Sequence, residues 1–183
     1  MVSGSPDFGP RRVNSVIGPL IQKGGRIVNV ASASGPNFVS DCTDSVLVDK
    51  LSKPWTIHGG LKELDDMAHK MQGDNAYGAS KALLNAYTVL HGKAQKDVIV
   101  NSCTPGFILT DLTAGTTASN PPSKGAVPVC WLLMDPSIDK IPAGRYFGSD
   151  CVRSPIDVYR GPGAAPYESD EDLVDLPRSV LVI

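Results

Sequence analysis

The sequence predicts an α/β fold in which a parallel sheet is flanked by helices. Three observations carry that prediction. Arg26 to Ala31 is a short apolar, β-branched run preceded by Gly24 and Gly25, the pattern of a strand buried on both faces of a parallel sheet. Asp97 to Cys103 is a second such run, closed by Thr104-Pro105-Gly106. Between them, Ala79, Ala82, Leu83, Ala86 and Leu90 recur at helical spacing, so Ala76 to His91 reads as one helix.

The remaining elements follow along the chain. Arg11 to Ile21 reads as the end of a helix despite Gly18. Leu61, Leu64, Ala68 and Met71 recur at helical spacing with Lys62, Glu63, Asp65 and Asp66 between them, which predicts short helices ahead of Tyr77. Val127 to Met134, with Trp131, Leu132 and Leu133, reads as a helix packed on the sheet. Residues 1–150 are expected to form the folded portion. Residues 151–183 are rich in Pro, Gly and acid, with Ser154-Pro155, Gly161-Pro162-Gly163 and the run Glu168 to Asp172, and are expected to be a solvated tail. The closing Val180 to Ile183 is apolar enough for a strand. No internal repeat is present.

Chemistry concentrates in three places. Tyr77 and Lys81 lie four residues apart in AYGASK, one turn from each other on one helix face. An isolated tyrosine has a pKa of about 10 and is a poor proton donor or base at neutral pH. An ammonium one turn away favours the phenolate, and a phenol so tuned acts as general acid or base on a ketone or alcohol. Ser32 follows the first strand, at its carboxyl end, which is where open α/β sheets bind ligands. Its hydroxyl is placed to hold a substrate oxygen against the tyrosine. Pro105-Gly106 breaks the second strand and brings backbone close to whatever lies above it. Thr110 either caps the next segment or bonds a ligand amide. Each feature also has a plain structural reading: an amphipathic helix, a polar turn, a strand-to-helix connection.

As a set, these residues resemble the short-chain dehydrogenase/reductase family. Gly25 to Ser32 is similar to that family's catalytic-serine strand, Tyr77 and Lys81 to its catalytic pair, and Pro105-Gly106 with Thr110 to its nicotinamide-side loop. Lys124-Gly125-Ala126 and Gly144-Arg145-Tyr146-Phe147 resemble its later elements, placing a third parallel strand near 144–149. The resemblance implies that Ser32 orients the substrate carbonyl and that Tyr77 supplies the proton. It implies that Lys81 supports the phenolate and bonds the nicotinamide ribose. The backbone at Phe107 and Ile108, after Pro105 and Gly106, would meet the carboxamide, with Thr110 near it or near the pyrophosphate. NADP(H) is the cofactor favoured by the resemblance over NAD(H). The long stretch between Ser32 and Tyr77 resembles the monomeric carbonyl-reductase branch, where an insertion covers the helix face through which relatives dimerise.

The sequence departs from the family in two respects. No G-x-x-x-G-x-G or G-x-G-x-x-G follows a strand, and Gly161-Pro162-Gly163 is a turn rather than a nucleotide loop. The family's asparagine position falls on Pro6, beside Phe8, and Asn14 does not match it. The chain is therefore expected to be the C-terminal half of a Rossmann-like fold, truncated or incompletely recorded. Binding of NADP(H) by this chain alone is expected to be weak or absent. The strand at 26–31 is expected to expose an edge that calls for a complementing partner; the complete form is expected to be a monomer.

With 183 residues and a formal net charge of −2, the chain makes no case for nucleic acid or an anionic membrane. No run of about 18 apolar residues is present. Cys42, Cys103, Cys130 and Cys151 are scattered, which reads as free thiols in a reducing, cytoplasmic setting. His58 and His69 lack the spacing of a metal site, so no metal is expected. The function expected is NAD(P)H-dependent reduction of a small carbonyl compound or oxidation of the alcohol. An epimerase or dehydratase of the extended branch is the alternative, as is a non-catalytic remnant that binds a partner.

Overall fold

The computed structural model describes residues 9–71 and 75–168. Three parallel strands form the sheet in the order β1 (Gly25–Val30), β2 (Val98–Cys103), β3 (Tyr146–Phe147). The register runs from Gly25 opposite Val98 to Val30 opposite Cys103, and Ser102 and Cys103 face Tyr146 and Phe147. Ala31 extends the first ladder by donating its N–H to the Cys103 carbonyl at 2.8 Å.

β3 is shorter than the expected 144–149. Gly144 takes a left-handed φ of +83°, and Gly148 turns away to donate to the Val152 carbonyl at 2.8 Å. β2 is almost wholly buried, whereas β1 is mostly half-buried. Among the described residues β1 pairs with β2 alone, so its other side is an edge.

Helices cover both faces. On one side lie α2 (Ser34–Asp41), α3 (Ser45–Ser52), α4 (Gly60–Lys70) and the long α5 (Ala76–Ala94). Leu51, Ile57, Leu64, Leu83, Tyr87, Leu90 and Tyr146 form the core there. On the other side α6 (Pro122–Met134) packs Leu132 and Trp131 against Cys103, Phe147 and Val28. Tyr146 and Phe147 enter opposite cores because successive strand residues point to opposite faces. The short helices expected before Tyr77 are α2, α3 and α4, with Leu61, Leu64 and Met67 buried.

The strands also carry polar residues, and Asn29, Asn101 and Ser102 each have a partner. Asn29 Nδ2 donates to Thr88 Oγ1 at 2.9 Å, and Ser102 Oγ donates to Asn85 Oδ1 at 3.0 Å. Asn101 Oδ1 accepts from the Arg145 N–H at 2.8 Å. These bonds tie α5 and the approach to β3 to fixed points on the sheet, since a buried polar group without a partner is costly.

Two expectations are corrected. The helix expected over 11–21 is α1 (Gly9–Ile17) followed by a 3₁₀ turn at Gly18–Leu20, because Pro19 disfavours the α conformation of the residue before it. The chain beyond β3 is not a solvated tail as far as Glu168. Ser154 donates to the Tyr146 carbonyl at 2.9 Å, Tyr167 to that of Arg153 at 3.1 Å, and Ser154 and Pro155 are buried. The expectations placed on Pro6, Phe8, Ser169 to Asp172 and Val180 to Ile183 lie outside the described residues. No helix among the described residues is long and apolar enough to cross a membrane.

Candidate functional site

The carboxyl ends of all three strands open on one side of the sheet, and a cavity of about 780 Å³ lies there. Ser32 and Ser34 line it after β1, Thr104 to Ile108 after β2, and Gly148 to Asp150 after β3. α6 contributes Lys124 and Val127, and the returning chain contributes Tyr159, Arg160 and Pro162.

Ser32 is half-buried. Its Oγ accepts from the Ser34 N–H at 3.2 Å and lies 3.3 Å from Ser34 Oγ. This serine turn starts α2, and α2 then packs directly on α5. Gly35 makes that contact possible: a Cβ there would stand 2.9 Å from the Lys81 carbonyl carbon and 3.0 Å from the Ala82 nitrogen. The absence of a side chain at Gly35 thus sets the distance between the serine turn and Lys81.

Asn75 caps α5, its side chain accepting from the Gly78 N–H at 3.0 Å. Tyr77 is the second residue of the helix and is 55% exposed. The Lys81 ammonium lies 5.6 Å from the centre of the Tyr77 ring, within cation–π range. Lys81 Nζ also donates to the Val30 carbonyl at 2.9 Å. That bond pins the lysine to the carboxyl end of β1, two residues before Ser32. Tyr77 and Lys81 lie outside the lining of the cavity, whereas Ser32, Pro105, Gly106, Phe107 and Ile108 are in it.

Gly106 takes a φ of +84°, and a Cβ there would lie 3.1 Å from that of Ser149. Only glycine combines that turn with that approach. Thr104 Oγ1 accepts from the Gly106 N–H at 3.2 Å and steadies the turn. Thr110 does not line the cavity. Its N–H donates to Thr113 Oγ1 at 2.8 Å in a capping box on the 3₁₀ turn Asp111–Thr113. Of its two expected roles, capping is the one seen.

Sequence reasoning missed the far walls. Arg160 reaches across to Asp150, with Nη2 at 2.5 Å from Oδ2 and Nη1 at 3.1 Å from Oδ1. The guanidinium hydrogen bond, with help from the Gly163 N–H, holds the Asp150 carboxyl down to a pKa of about 2. Asn120 donates to the Phe107 carbonyl at 3.3 Å and accepts from Lys124 Nζ at 3.3 Å. No local pattern announced Arg160 and Asp150; the chain's return beyond β3 brings them together. Burial pushes the Cys103 thiol up to about 12, so it stays protonated in the core beneath α6. All four cysteines are free, His58 and His69 are exposed, and no metal-ligating cluster occurs among the described residues.

No family model matches the chain. Bovine (Bos taurus) carbonyl reductase [NADPH] 1 is 27% identical over 160 residues, which cover 79% of this chain and 57% of that protein. The rabbit (Oryctolagus cuniculus) protein of the same name is 28% identical over 153 residues, 75% of this chain and 55% of its own. Carbonyl reductase [NADPH] 3 of Rattus norvegicus is 26% identical over 145 residues, 70% of this chain and 52% of its own. Among solved structures, salutaridine reductase from Papaver somniferum superposes with a TM-score of 0.58 at 26% identity, covering 75% of this chain and 50% of that one. The chain spans about half the length of the curated relatives it matches. It is related in sequence to NADPH carbonyl reductases, and its sheet and helices are consistent with part of a Rossmann-like fold.

Proposed function

We propose that this chain carries the proton-transfer centre of a short-chain dehydrogenase/reductase that reduces carbonyl compounds with NADP(H). The observation that carries the reading is the anchoring of Lys81. Its ammonium is tied to the carboxyl end of β1, two residues from Ser32 and one helical turn from Tyr77. Relatedness to carbonyl reductases supports the same assignment.

The cavity fits the nicotinamide end of such a cofactor. Gly106 presents bare backbone to it, and the Phe107 and Ile108 backbone follows at once. When bound, the cofactor supplies hydride to the carbonyl carbon. The chain's own residues do the rest. Ser32 Oγ, a donor at the strand end, holds the carbonyl oxygen. Tyr77 delivers a proton to that oxygen as it gains charge, and the Lys81 ammonium stabilises the phenolate left behind.

The test is NADPH oxidation with an aryl ketone, run on the chain alone and on the chain joined behind the part of bovine carbonyl reductase that it does not match. The joined protein is expected to turn over. Tyr77→Phe should lower its rate by about 10²–10⁴-fold, the usual worth of general acid catalysis. An active joined protein whose rate is untouched by Tyr77→Phe would refute the mechanism.

A further inference from the structure

We infer that Lys124 is a specificity-determining residue that receives a carboxylate carried by the carbonyl substrate. The inference rests on the reading above and names the class of substrate for that site.

The charge balance of the cavity is the starting point. Among the described lining residues the charged groups are Lys124, Asp150 and Arg160. Asp150 and Arg160 neutralise each other through two close contacts, at 2.5 and 3.1 Å. Asp150 accepts in addition from Gly163 N at 2.9 Å, so its carboxylate is fully engaged. Gly148 leaves the space in which the pair meets: a Cβ there would stand 2.5 Å from Asp150 Oδ1 and 2.9 Å from Arg160 Nη1. Among the described residues, Lys124 is left as the lining cation without a carboxylate partner.

The position of Lys124 is also set by its surroundings. Asn120 is fixed by its bond to the Phe107 carbonyl and turns its amide oxygen to Lys124 Nζ at 3.3 Å. A chain of two hydrogen bonds therefore runs from the Pro105-Gly106 turn to the ammonium. Lys124 stands in the first turn of α6, where the helix dipole opposes a cation and favours an anion. Helix stability gives no reason for a lysine there, whereas an anionic ligand would be drawn by both. Finally, about 780 Å³ is large for a ligand pocket, whose usual range is about 300–1,000 Å³. It leaves room for a charged group well away from the reacting carbonyl.

The test uses acetylbenzoate and its methyl ester, alike in ring and ketone and different in charge, titrated calorimetrically into the full chain. The wild type is expected to bind acetylbenzoate more tightly. Lys124→Met keeps the stem and should weaken acetylbenzoate binding about 10- to 150-fold, the worth of one charged hydrogen bond, with the ester unchanged. Lys124→Arg should restore the preference, and added salt should shrink it. A wild type that does not prefer acetylbenzoate overturns the inference, as does an equal loss for both ligands in Lys124→Met. So does a loss confined to NADPH binding, which would assign the ammonium to a cofactor phosphate. Because the readout is binding, the inference can fail while the joined reductase stays active, and the reductase mechanism can fail while the preference stands.

Discussion

Replacing Gly35 by alanine should disturb both the fold and the site, because α2 meets α5 at backbone. The new Cβ would stand 2.9 Å from the Lys81 carbonyl carbon, 3.0 Å from the Ala82 nitrogen and 3.1 Å from the Lys81 oxygen. Ordinary contact begins near 3.4 Å, and none of these atoms can swing aside as a side chain end would. The two helices must part by about half an ångström, and overpacking of this kind costs about 1–3 kcal/mol. Alanine regains up to about 1 kcal/mol through its better helix propensity, which leaves a net loss of about 1–2 kcal/mol. For a domain of this size that lowers the melting temperature by about 3–6 °C. The shift acts on the residue whose Nζ reaches the Val30 carbonyl at 2.9 Å. Reductase activity in the joined protein should therefore fall at temperatures well below the melting point. Thermal denaturation and NADPH oxidation measure the two effects. A variant with unchanged melting temperature and unchanged rate would refute the claim that this contact is limited by backbone and positions Lys81.

Lys81→Met should lower the rate of the joined reductase by about 10²-fold while leaving urea stability nearly unchanged, since the bond to Val30 is exposed. Thr88→Val should cost about 1–3 kcal/mol in urea denaturation, because Asn29 Nδ2 loses its acceptor in a buried setting; adding Asn29→Val should recover part of the loss, and a strictly additive double variant would disprove the pairing. Asp150→Asn should cost about 2 kcal/mol at pH 7. The Asp150 carboxyl is held at about 2 against an ordinary value of 3.8, so its contribution is full above about pH 4 and is lost as pH falls through 2. The stability gap between wild type and variant should close over that window, and a gap that persists at pH 2 would show that the ion pair is not its source.

The elements were legible where the information is local. Arg26 to Ala31 and Asp97 to Cys103 read as buried strands, and Ala76 to His91 as a helix, because period and composition are properties of neighbouring residues. The places of Ser32, Tyr77 and Lys81, after a strand end and along one helix, were legible for a related reason, since strand ends and a four-residue helical spacing are local features. Thr110 shows the limit, since a threonine after a turn reads equally as a cap or a ligand contact, and only the tertiary structure shows the cap it forms with Thr113.

The tertiary structure alone decided the rest. The segment 151–168 has the composition of a solvated tail, yet hydrogen bonds to Tyr146 and Arg153 return it to the sheet. Arg160 then meets Asp150, and among the described residues their pairing leaves Lys124 as the lining cation without a carboxylate partner. Lys81 finds the Val30 carbonyl across 51 positions of sequence. Sequence alone determined which segments form strands and helices, because backbone preference and burial pattern are set within a few residues. Which walls enclose the site, and which charges within it are already satisfied, was decided by packing, because those contacts join parts of the chain that no local pattern relates.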